Sequence, residues 1–338
     1  MTFKIKINPG GYEVIADEGE SIIDATLRQG LLLPFGCRCS SCGACRGKVI
    51  SGEFQRSDGD PDLLTAEEMA AGYTLFCETT PLSDMEIEAE EVILTGEVEV
   101  KMMPGRVADM RKLADDVMEL KVRIPENQKL LFFAGQYMNF LLDGGKRRSY
   151  SIANAPHDDE FLQFHVRLVE GGMYSGHVFE KMQAKDLVRL KGPMGSFFLR
   201  EDSDRPIVFM ATGTGFAPIK SMVEHAWRKN LKRPMHLFWG GRRPEDLYMN
   251  ELAQQWASEH DNFTYTPMLS RADSGWSGET GYVQDAVIRT YPDLGGHDVY
   301  VCGSPVMIHA AKPVLLAHGL DEHRLHFDSF EFANDHNK

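Results

Sequence analysis

The stretch Pro34-Phe-Gly-Cys37-Arg-Cys39-Ser-Ser-Cys42-Gly-Ala-Cys45-Arg-Gly47 places four cysteines within nine positions. Three of them, Cys37, Cys42 and Cys45, follow the spacing C-x4-C-x2-C, and Cys77 comes after 31 intervening residues. Four thiolates with this spacing, three from one glycine-containing loop and the fourth from a distant segment, are typical of a plant-type [2Fe–2S] cluster. The sequence therefore predicts that these four cysteines are the metal ligands of such a cluster.

Cys39 leaves other interpretations of the loop open. Cys39, Cys42 and Cys45 also read C-x2-C-x2-C, which begins the run that binds a four-iron cluster in bacterial ferredoxins. That run would require a further cysteine four positions after Cys45, where Val49 stands. A zinc site is a second alternative, although zinc motifs usually contain paired C-x2-C units. We expect Cys39 to be a bystander in a [2Fe–2S] loop.

The charge of the chain is concentrated near its N-terminus. The 338 residues carry a formal net charge of −14, and residues 1–95 alone hold 7 Lys and Arg against 17 Asp and Glu. An acidic surface argues against nucleic-acid binding, which needs basic residues to neutralise phosphates. It suits a protein partner with a basic face, although the same charge would also keep the chain soluble.

Composition and cysteine usage predict a cytoplasmic protein. Hydrophobic residues make up 43% and charged residues 25% of the chain, which is ordinary for a globular protein. The first residues alternate between polar and apolar, unlike a signal peptide, and no run approaches the roughly 18 apolar residues of a membrane-spanning helix. Closely spaced cysteines suit metal ligation better than a disulfide framework, so we expect a reducing compartment.

The sequence pattern predicts a multi-domain chain with boundaries near residues 95 and 203. In residues 1–95, short strands and two helices, one capped by Ser21 and one by Thr65 with Glu68, flank the cysteine loop. Residues 96–203 contain about six short strand candidates, which suggest a small antiparallel β-barrel. In residues 204–338 strands alternate with helices, one of them expected over 244–258. This alternation predicts an α/β domain whose parallel sheet holds a nucleotide over the carboxyl ends of its strands.

Two features of the predicted barrel suit a flat ligand that carries phosphate. In Arg147-Arg148-Ser149-Tyr150-Ser151, the side chains of Arg148 and Tyr150 fall on one face of a strand, where they can bind a phosphate and stack on a ring together. The glycines of Glu170-Gly171-Gly172-Met173-Tyr-Ser175 open a predicted helix, whose N-terminus suits a pyrophosphate. An ordinary helix cap is the alternative for this second feature.

The α/β region contains weaker nucleotide motifs. Gly213-Thr214-Gly215-Phe-Ala-Pro218 departs from the GxGxxG fingerprint at its third glycine. The second strand runs into Gly240-Gly-Arg242-Arg243 and does not end in an acid that could hold a ribose. An arginine at this place can accommodate the 2′-phosphate of NADP, and a solvated turn is the alternative. The motifs alone therefore leave the choice between NADH and NADPH open.

Over essentially its whole length, the chain resembles the three-domain NAD(P)H reductases that carry an N-terminal plant-type ferredoxin domain of the β-grasp fold. The barrel motifs, together with Gly192-Pro-Met-Gly195, resemble the flavin-binding domain of the ferredoxin–NADP reductase family. Gly213–Pro218 and Val301-Cys302-Gly303-Ser-Pro305 resemble its nicotinamide-binding domain. Reductases of this kind serve bacterial monooxygenases and dioxygenases, and the CDP-6-deoxy-glucoseen reductases of deoxysugar synthesis are similar to them.

The resemblance implies a cofactor site. Arg148 is expected to hold a flavin phosphate, Tyr150 to lie against the isoalloxazine, and Ser151 to lie near flavin N5. The turn Gly172–Ser175 is expected to cradle the pyrophosphate of FAD, which favours FAD over FMN. The full set of residues expected to bind FAD or the pyridine nucleotide is Arg148, Ser149, Tyr150, Ser151, His165, Gly171, Gly172, Met173, Ser175, Gly213, Thr214, Gly215, Cys302, Gly303 and Phe330.

The resemblance also implies catalytic roles for Ser151, Cys302 and Asp328. Cys302 is expected beside the nicotinamide, and a buried thiol at a strand end is the alternative. Phe330 is expected to cover the flavin ring, and Asp328 or Glu331 is expected to take up or release protons during the reaction. An ordinary edge strand is the alternative for these three.

The implied activity is that of an electron-transfer oxidoreductase. NADH, with NADPH not excluded, would supply a hydride to FAD, and the [2Fe–2S] cluster would pass single electrons to a partner oxygenase. A dehydrase that acts on a sugar nucleotide is the alternative acceptor. The partner is expected to dock near the cluster loop. Two other classes stay open: a self-contained reductase that acts on a small molecule at the flavin, and a non-enzymatic iron–sulfur sensor.

Overall fold

The computed structural model describes residues 1–56 and 63–331. Contacts between Cα atoms divide the chain into two units. The first contains Met1–Lys101 and Gly192–Phe197, and the second contains Met102–Lys191 and the chain from Phe198 onward. The domain boundaries near residues 95 and 203 stay predictions.

The first unit combines short strands with two short helices. Its elements are β1 (Thr2–Asn8), β2 (Tyr12–Asp17), α1 (Ile22–Arg28), β3 (Leu31–Leu32), β4 (Arg46–Ser51), β5 (Phe54–Arg56), α2 (Ala66–Ala70), β6 (Tyr73–Leu75), β7 (Thr79–Pro81), β8 (Met85–Glu88) and β9 (Ile93–Leu94). The main sheet has the strand order β2-β1-β8-β4-β6, and it is mixed because β1 pairs with β8 in parallel. Alternate residues of β1, Ile5 and Ile7, are completely buried, as the period of a strand with one covered face requires.

Both helices of the first unit begin at the caps that the sequence predicts. Ser21 Oγ accepts a hydrogen bond from the backbone N–H of Asp24 at 3.1 Å, which satisfies one free donor of α1. Thr65 and Glu68 form a reciprocal capping box at the start of α2, with distances of 3.2 and 2.7 Å. The cap of α1 fixes Asp24 in the first turn of that helix.

The second unit contains an antiparallel β-barrel. Its elements are β10 (Lys101–Ala114), β11 (Val117–Arg123), β12 (Tyr137–Leu141), β13 (Arg147–Ser151), β14 (Leu162–Arg167), α3 (Met173–Glu180) and β15 (Leu187–Met194), of which Lys101 and the last three residues of β15 belong to the first unit. The strand order is β13-β12-β15-β10-β11-β14, and an antiparallel bridge between Ile152 and Phe164 links its two ends. The barrel is filled by apolar side chains such as Phe140 and Phe164, whose rings meet edge to face at 4.9 Å. The predicted barrel is confirmed.

The second unit also contains the predicted α/β domain. Its elements are β16 (Ile207–Thr212), α4 (Phe216–Arg228), β17 (Met235–Gly241), α5 (Asn250–Glu259), β18 (Phe263–Leu269), β19 (Glu279–Thr280), α6 (Val283–Thr290), β20 (Asp298–Gly303), α7 (Pro305–Ala317) and β21 (Leu325–Ser329). All strand pairs are parallel, in the order β19-β18-β17-β16-β20-β21. The central strands are buried on both faces, which explains their nearly continuous apolar sequence. No helix in the described residues is long and apolar enough to cross a membrane.

Candidate functional site

The four predicted cluster ligands lie in the first unit as two pairs of thiols. Hydrogen bonds with the thiols of Cys39 and Cys42 lower the pKa of Cys37. A hydrogen bond with the thiol of Cys45 lowers the pKa of Cys77. No three His, Cys, Asp or Glu side chains in residues 1–56 and 63–331 are arranged to hold a single metal ion. A two-iron cluster takes four cysteine ligands, so two adjacent pairs of thiols fit it.

The backbone of the cysteine loop supplies donors to the sulfur atoms. The backbone N–H of Cys37 points at Cys42 Sγ at 3.4 Å, and that of Cys39 points at Cys37 Sγ at 3.5 Å. Arg38 and Gly43 have φ angles of 58° and 73°, in the left-handed region. Left-handed residues in a tight loop turn successive N–H groups toward one side, and hydrogen bonds to the sulfurs are a general property of iron–sulfur sites.

Two further residues of this region explain its local packing. A Cβ atom at Gly47 would lie 2.1 Å from the ring of Phe76, so glycine is required for the close approach of the two segments. Cys39 has an exposed side chain, and its Sγ lies 3.1 Å from Ser41 Oγ. Its assignment as a bystander stays a prediction.

Strand β13 carries the predicted flavin residues at one end of the barrel sheet. The ring of Tyr150 meets the ring of Phe140 edge to face at 5.4 Å and lies 6.0 Å from the ring of Tyr174. Burial raises the pKa of Tyr150, so its phenol is neutral at physiological pH. Arg148 Nη1 donates a hydrogen bond to the carbonyl oxygen of Arg147 at 2.8 Å. Because strand side chains alternate, Arg148 and Tyr150 share one face.

The two serines of β13 differ from each other in their surroundings. Ser149 Oγ donates a hydrogen bond to Asn139 Oδ1 on the neighbouring strand at 2.7 Å. Ser151 is buried at the end of β13, opposite Tyr137 of β12. Ser149 is therefore held by the sheet itself, and Ser151 is enclosed by the barrel.

A cavity of about 1030 Å³ opens beside the N-terminus of α3. Gly171, Gly172 and Met173 line it. A Cβ atom at Gly172 would lie 2.6 Å from Ser175 Oγ, so glycine is needed at this cap. Ser175 Oγ accepts a hydrogen bond from the backbone N–H of Val169 at 3.1 Å. The turn is thus preformed, and its backbone donors at a helix N-terminus suit a phosphate group.

The structure does not bring every predicted flavin residue into this cavity. Those that are not part of its lining are Arg148, Ser149, Tyr150, Ser151, His165 and Ser175. Tyr174 connects the two groups, because it lines the cavity and its ring also lies beside Tyr150.

The predicted nucleotide residues meet at the carboxyl edge of the parallel sheet. A Cβ atom at Gly215 would lie 2.2 Å from the carbonyl oxygen of Cys302, and one at Gly303 would lie 2.5 Å from that of Thr212. These glycines allow the Gly213–Gly215 turn, which includes Thr214, to pack against the end of β20. Ligands of open α/β sheets bind at this edge.

The end of β21 lies beside the end of β20. Cys302 pairs with Asp328 across the two strands, and the backbone N–H of Phe330 donates to the carbonyl oxygen of Gly303 at 2.9 Å. Burial raises the pKa of the Cys302 thiol, and the nearby Asp328 raises it further. The thiol of Cys302 is therefore neutral at physiological pH, and its expected place beside the nicotinamide stays a prediction.

His165 of the barrel contacts the α/β domain through Tyr248, a residue that the sequence analysis missed. His165 Nδ1 lies 2.9 Å from Tyr248 Oη, and the Tyr248 ring packs edge to face on Trp239 at 5.2 Å. Burial lowers the pKa of His165 to about 3, so the imidazole is neutral. His165 Nε2 is buried and has no hydrogen-bond partner among the described residues. A buried polar atom left unpaired is costly, so this nitrogen fits a site that a bound ligand completes.

Arg167 is a second residue that the sequence analysis missed. Its Nε donates to Asp116 Oδ2 at 2.9 Å, and its Nη2 donates to Asp246 Oδ1 at 3.4 Å. A Cβ atom at Gly213 would lie 2.8 Å from Arg167 Nη1. The ion pairs of Arg167 therefore place its guanidinium against the glycine turn. Arg167 and Asp246 are 79 positions apart, and no local pattern predicts their contact.

Three protein-family models match the chain in succession. They describe a 2Fe-2S iron-sulfur cluster binding domain over residues 5–82, an oxidoreductase FAD-binding domain over residues 104–199 and an oxidoreductase NAD-binding domain over residues 209–313. The matches confirm the predicted cofactors, a [2Fe–2S] cluster, FAD and NAD, and the predicted class of enzyme.

The chain is similar to characterised proteins along almost its entire length. It is 38% identical to the CDP-6-deoxy-L-threo-D-glycero-4-hexulose-3-dehydrase reductase of Yersinia pestis, over 98% of this chain and 99% of that protein. It is 33% identical to the phenol 2-monooxygenase reductase component DmpP of Pseudomonas sp. strain CF600, over 99% of this chain and 96% of that protein.

A solved structure of a reductase also matches the chain along almost its entire length. The Amycolatopsis cytochrome P450 reductase GcoB superimposes with a TM-score of 0.83 at 31% identity, over 97% of this chain and 98% of that one. The predicted resemblance and fold class are confirmed. The chain therefore belongs to the family of electron-transfer reductases that join a [2Fe–2S] domain, an FAD-binding domain and an NAD-binding domain in one polypeptide.

Proposed function

We propose that this reductase uses NADH and passes electrons to a separate redox protein, which docks on the first unit beside the loop 34–47. The observation that carries this proposal is the unequal exposure of the two pairs of thiols. Cys37 and Cys42 are partly exposed to solvent, whereas Cys45 and Cys77 are buried. An acceptor protein can therefore approach the cluster from the side of Cys37.

The charge of the N-terminal region supports the same docking face. Residues 1–95 contain 7 basic and 17 acidic side chains. Such a surface attracts a basic partner and accelerates its encounter, and salt weakens the attraction. The acceptor is therefore expected to present a basic face to the cluster loop.

The chain's own residues provide binding and orientation for the cofactors. When bound, FAD supplies the exchange between the two-electron hydride of NADH and the single electrons that a [2Fe–2S] cluster carries. Arg148 binds a phosphate of FAD, and Tyr150, held in place by Phe140 and Tyr174, packs against the ring. The Ser151 hydroxyl would lie near N5 of the flavin, and the turn Gly171–Ser175 would hold the pyrophosphate.

The carboxyl edge of the parallel sheet provides the site for the pyridine nucleotide. The turn Gly213–Gly215 offers backbone donors to the phosphates, and Gly303 lets the end of β20 pack closely against Thr212 beneath that turn. The neutral thiol of Cys302 packs beside the nicotinamide without reacting with it. Phe330 shields the flavin from water, and the Asp328 carboxylate serves as the proton-exchanging group of this edge.

Asp246 supports the choice of NADH. Its Oδ2 accepts hydrogen bonds from the backbone N–H groups of Arg242 and Arg243, at 2.7 and 3.0 Å. A 2′-phosphate at the end of β17 would have to compete for these donors and would meet the charge of the carboxylate. The ribose hydroxyl of NADH meets no such repulsion.

Two classes of acceptor follow from the relatives. An oxygenase component is the first candidate, because DmpP is the reductase component of a phenol monooxygenase and GcoB is a cytochrome P450 reductase. A dehydrase that acts on a CDP-hexulose is the second candidate. It is supported by the identity of 38% to the reductase of such a dehydrase, against 33% to DmpP. We place reductase and acceptor in the cytoplasm, where thiols remain reduced.

The test mixes the reductase with NADH under anaerobic conditions and then adds a purified oxygenase component or a purified sugar-nucleotide dehydrase. We expect rapid reduction of the oxygenase component, at a rate that falls as salt is raised. Reduction of the dehydrase alone would assign the second candidate. Reduction of neither protein, combined with turnover of a small molecule at the flavin, would contradict the proposal.

A further inference from the structure

We propose that the ion pair between Arg38 and Asp24 sets the reduction potential of the [2Fe–2S] cluster. In this assignment Arg38 stabilises the reduced cluster, and Asp24 opposes it in part. The inference rests on the proposed cluster ligands and concerns residues outside that set.

Arg38 places a positive charge inside the cysteine loop. It stands between Cys37 and Cys39 with a φ of 58°. Its side chain is only 7% exposed, and Nη2 donates a hydrogen bond to Asp24 Oδ1. Nη1 lies 3.8 Å from Met194 Sδ. The guanidinium is therefore enclosed by protein at the edge of the cluster site, where water screens its charge poorly.

Asp24 is fixed by the helix that carries it. Its backbone N–H is capped by Ser21, and Ser21 Oγ donates to Asp24 Oδ2 at 2.9 Å. The Asp24 side chain is 39% exposed, so water screens this carboxylate more strongly than it screens Arg38. The pair therefore leaves a net positive field at the loop, although its formal charges cancel.

Reduction of the cluster adds one negative charge to the site. A nearby cation stabilises the reduced form and raises the reduction potential, whereas a nearby anion lowers it. Unit charges roughly 10 Å apart in a medium of effective dielectric constant about 20 interact strongly enough to change the ratio of reduced to oxidised cluster about tenfold at fixed potential. For a one-electron couple, a tenfold change corresponds to about 59 mV.

The sign of the effect separates this proposal from a purely structural role. If the ion pair only holds the loop in shape, removal of either partner loosens the same contact, and both variants change the potential in the same direction. If the charges act on the cluster, removal of Arg38 and removal of Asp24 have opposite effects.

The experiment is a redox titration of the full-length holoprotein, monitored by the electron paramagnetic resonance signal of the reduced cluster. We expect Arg38→Gln to lower the midpoint potential by the equivalent of about a tenfold change in the ratio of reduced to oxidised cluster, and Asp24→Asn to raise it. Arg38→Lys keeps the charge and is expected to restore most of the wild-type value. Shifts of the two charge-removing variants in the same direction, or no shift in either, would overturn the inference.

A matched control lies on the same helix as Asp24. Arg28 pairs with Glu20 and Asp17, which lie outside the cysteine loop, so Arg28→Gln removes one positive charge without breaking the pair of Arg38 and Asp24. We expect the potential of this variant to equal that of the wild type. An equal shift in Arg28→Gln would show a general charge effect and contradict the role of Arg38.

Iron content and the line shape of the signal show whether each variant carries the intact cluster. If Arg38→Gln fails to hold the cluster, the midpoint potentials of the other two variants still test the inference. We expect the potential of Asp24→Asn to exceed that of the wild type and the potential of Arg38→Lys to stay close to it. Absence of a cluster in the wild-type protein would instead contradict the proposed ligand set and the proposed function.

Discussion

His165 Nδ1 and Tyr248 Oη lie 2.9 Å apart, and this hydrogen bond joins the β-barrel to the α/β domain within the second unit. The side chain of His165 is buried, and that of Tyr248 is partly buried. The contact therefore fixes how the proposed flavin residues face the carboxyl edge of the parallel sheet, where the nucleotide is proposed to bind.

Tyr248→Phe tests this contact. The variant leaves His165 Nδ1 without its partner in a buried site, and we expect it to lose about 1–3 kcal/mol of unfolding free energy. We also expect slower reduction of FAD by NADH, because the two domains lose a fixed contact. Urea unfolding and anaerobic stopped-flow spectroscopy measure the two effects.

Tyr265→Phe is the control for Tyr248→Phe. Tyr265 Oη donates to Asn250 Oδ1 at 2.8 Å, inside the α/β domain. We expect this variant to change stability but not the rate of flavin reduction. A similar loss of rate in both variants would remove the special role of the contact between His165 and Tyr248.

The pH dependence of stability follows from three buried imidazoles. Burial lowers the pKa of His165 to about 3, of His236 to about 4 and of His326 to about 3. In the unfolded chain each titrates near 6.5, so between about pH 6.5 and pH 4 the unfolded chain binds more protons than the folded one. Stability is therefore lost as the pH falls through this window, by up to about 1.4 kcal/mol per pH unit for each imidazole.

Urea unfolding of the wild type and of His236→Gln, between about pH 7 and pH 5, checks this dependence. The amide side chain can replace contacts of His236 with Tyr291 and Thr266, but it does not titrate. We expect the slope of the unfolding free energy against pH to decrease by the equivalent of about one proton. An unchanged slope would exclude His236 as a source of the pH dependence.

Asp246→Ala tests the proposed preference for NADH. Loss of the carboxylate frees the backbone N–H groups of Arg242 and Arg243 and removes a negative charge from the end of β17. We expect the ratio of kcat/KM for NADPH to that for NADH to increase about tenfold, because removal of one repelling charge a few ångströms away is worth about 1.4 kcal/mol. Steady-state ferricyanide reduction with each nucleotide measures the ratio.

Glu245→Gln is the matched control for Asp246→Ala. Glu245 lies in the same 3₁₀ turn, Pro244–Asp246, and the variant removes the same charge from a neighbouring position. We expect the nucleotide preference of this control to remain that of the wild type. An equal change in the control would point to the net charge of the turn instead of the hydrogen bonds of Asp246.

Local sequence patterns predict the parts of the structure that local rules determine. The cysteine spacing predicts thiols that the fold indeed brings together, although Cys77 follows Cys45 by 32 positions. The alternation within Arg147–Ser151 predicts that Arg148 and Tyr150 share one face. In both cases chain geometry alone limits the arrangement, because a loop of fixed spacing or a strand of period two has few alternatives.

The remaining contacts depend on tertiary structure and have no local signal. The apolar pattern predicts one helix over 244–258, but the chain first forms a 3₁₀ turn in which Asp246 binds the two preceding backbone N–H groups. Helix α5 therefore begins only at Asn250. The contacts of Tyr248 with His165 and of Arg38 with Asp24 likewise join separate elements, and no periodicity reports them.

Cys39→Ser tests the choice of cluster ligands. The thiol of Cys39 is exposed, whereas those of Cys45 and Cys77 are buried. We expect Cys39→Ser to keep the iron content and the visible absorption of the wild type. Loss of the cluster in this variant would assign Cys39 to the ligand set in place of one of its neighbours.

The central claim is that electrons leave this chain through the cluster held by Cys37, Cys42, Cys45 and Cys77. Cys42→Ser tests it most directly, because it removes one of the four proposed ligands from a loop whose backbone donor points at that sulfur. The measurement compares NADH-dependent reduction of cytochrome c with NADH-dependent reduction of ferricyanide, which accepts electrons at the flavin. We predict that the folded variant loses cytochrome c reduction and keeps ferricyanide reduction. Equal loss of both activities, or retention of both, would contradict the claim.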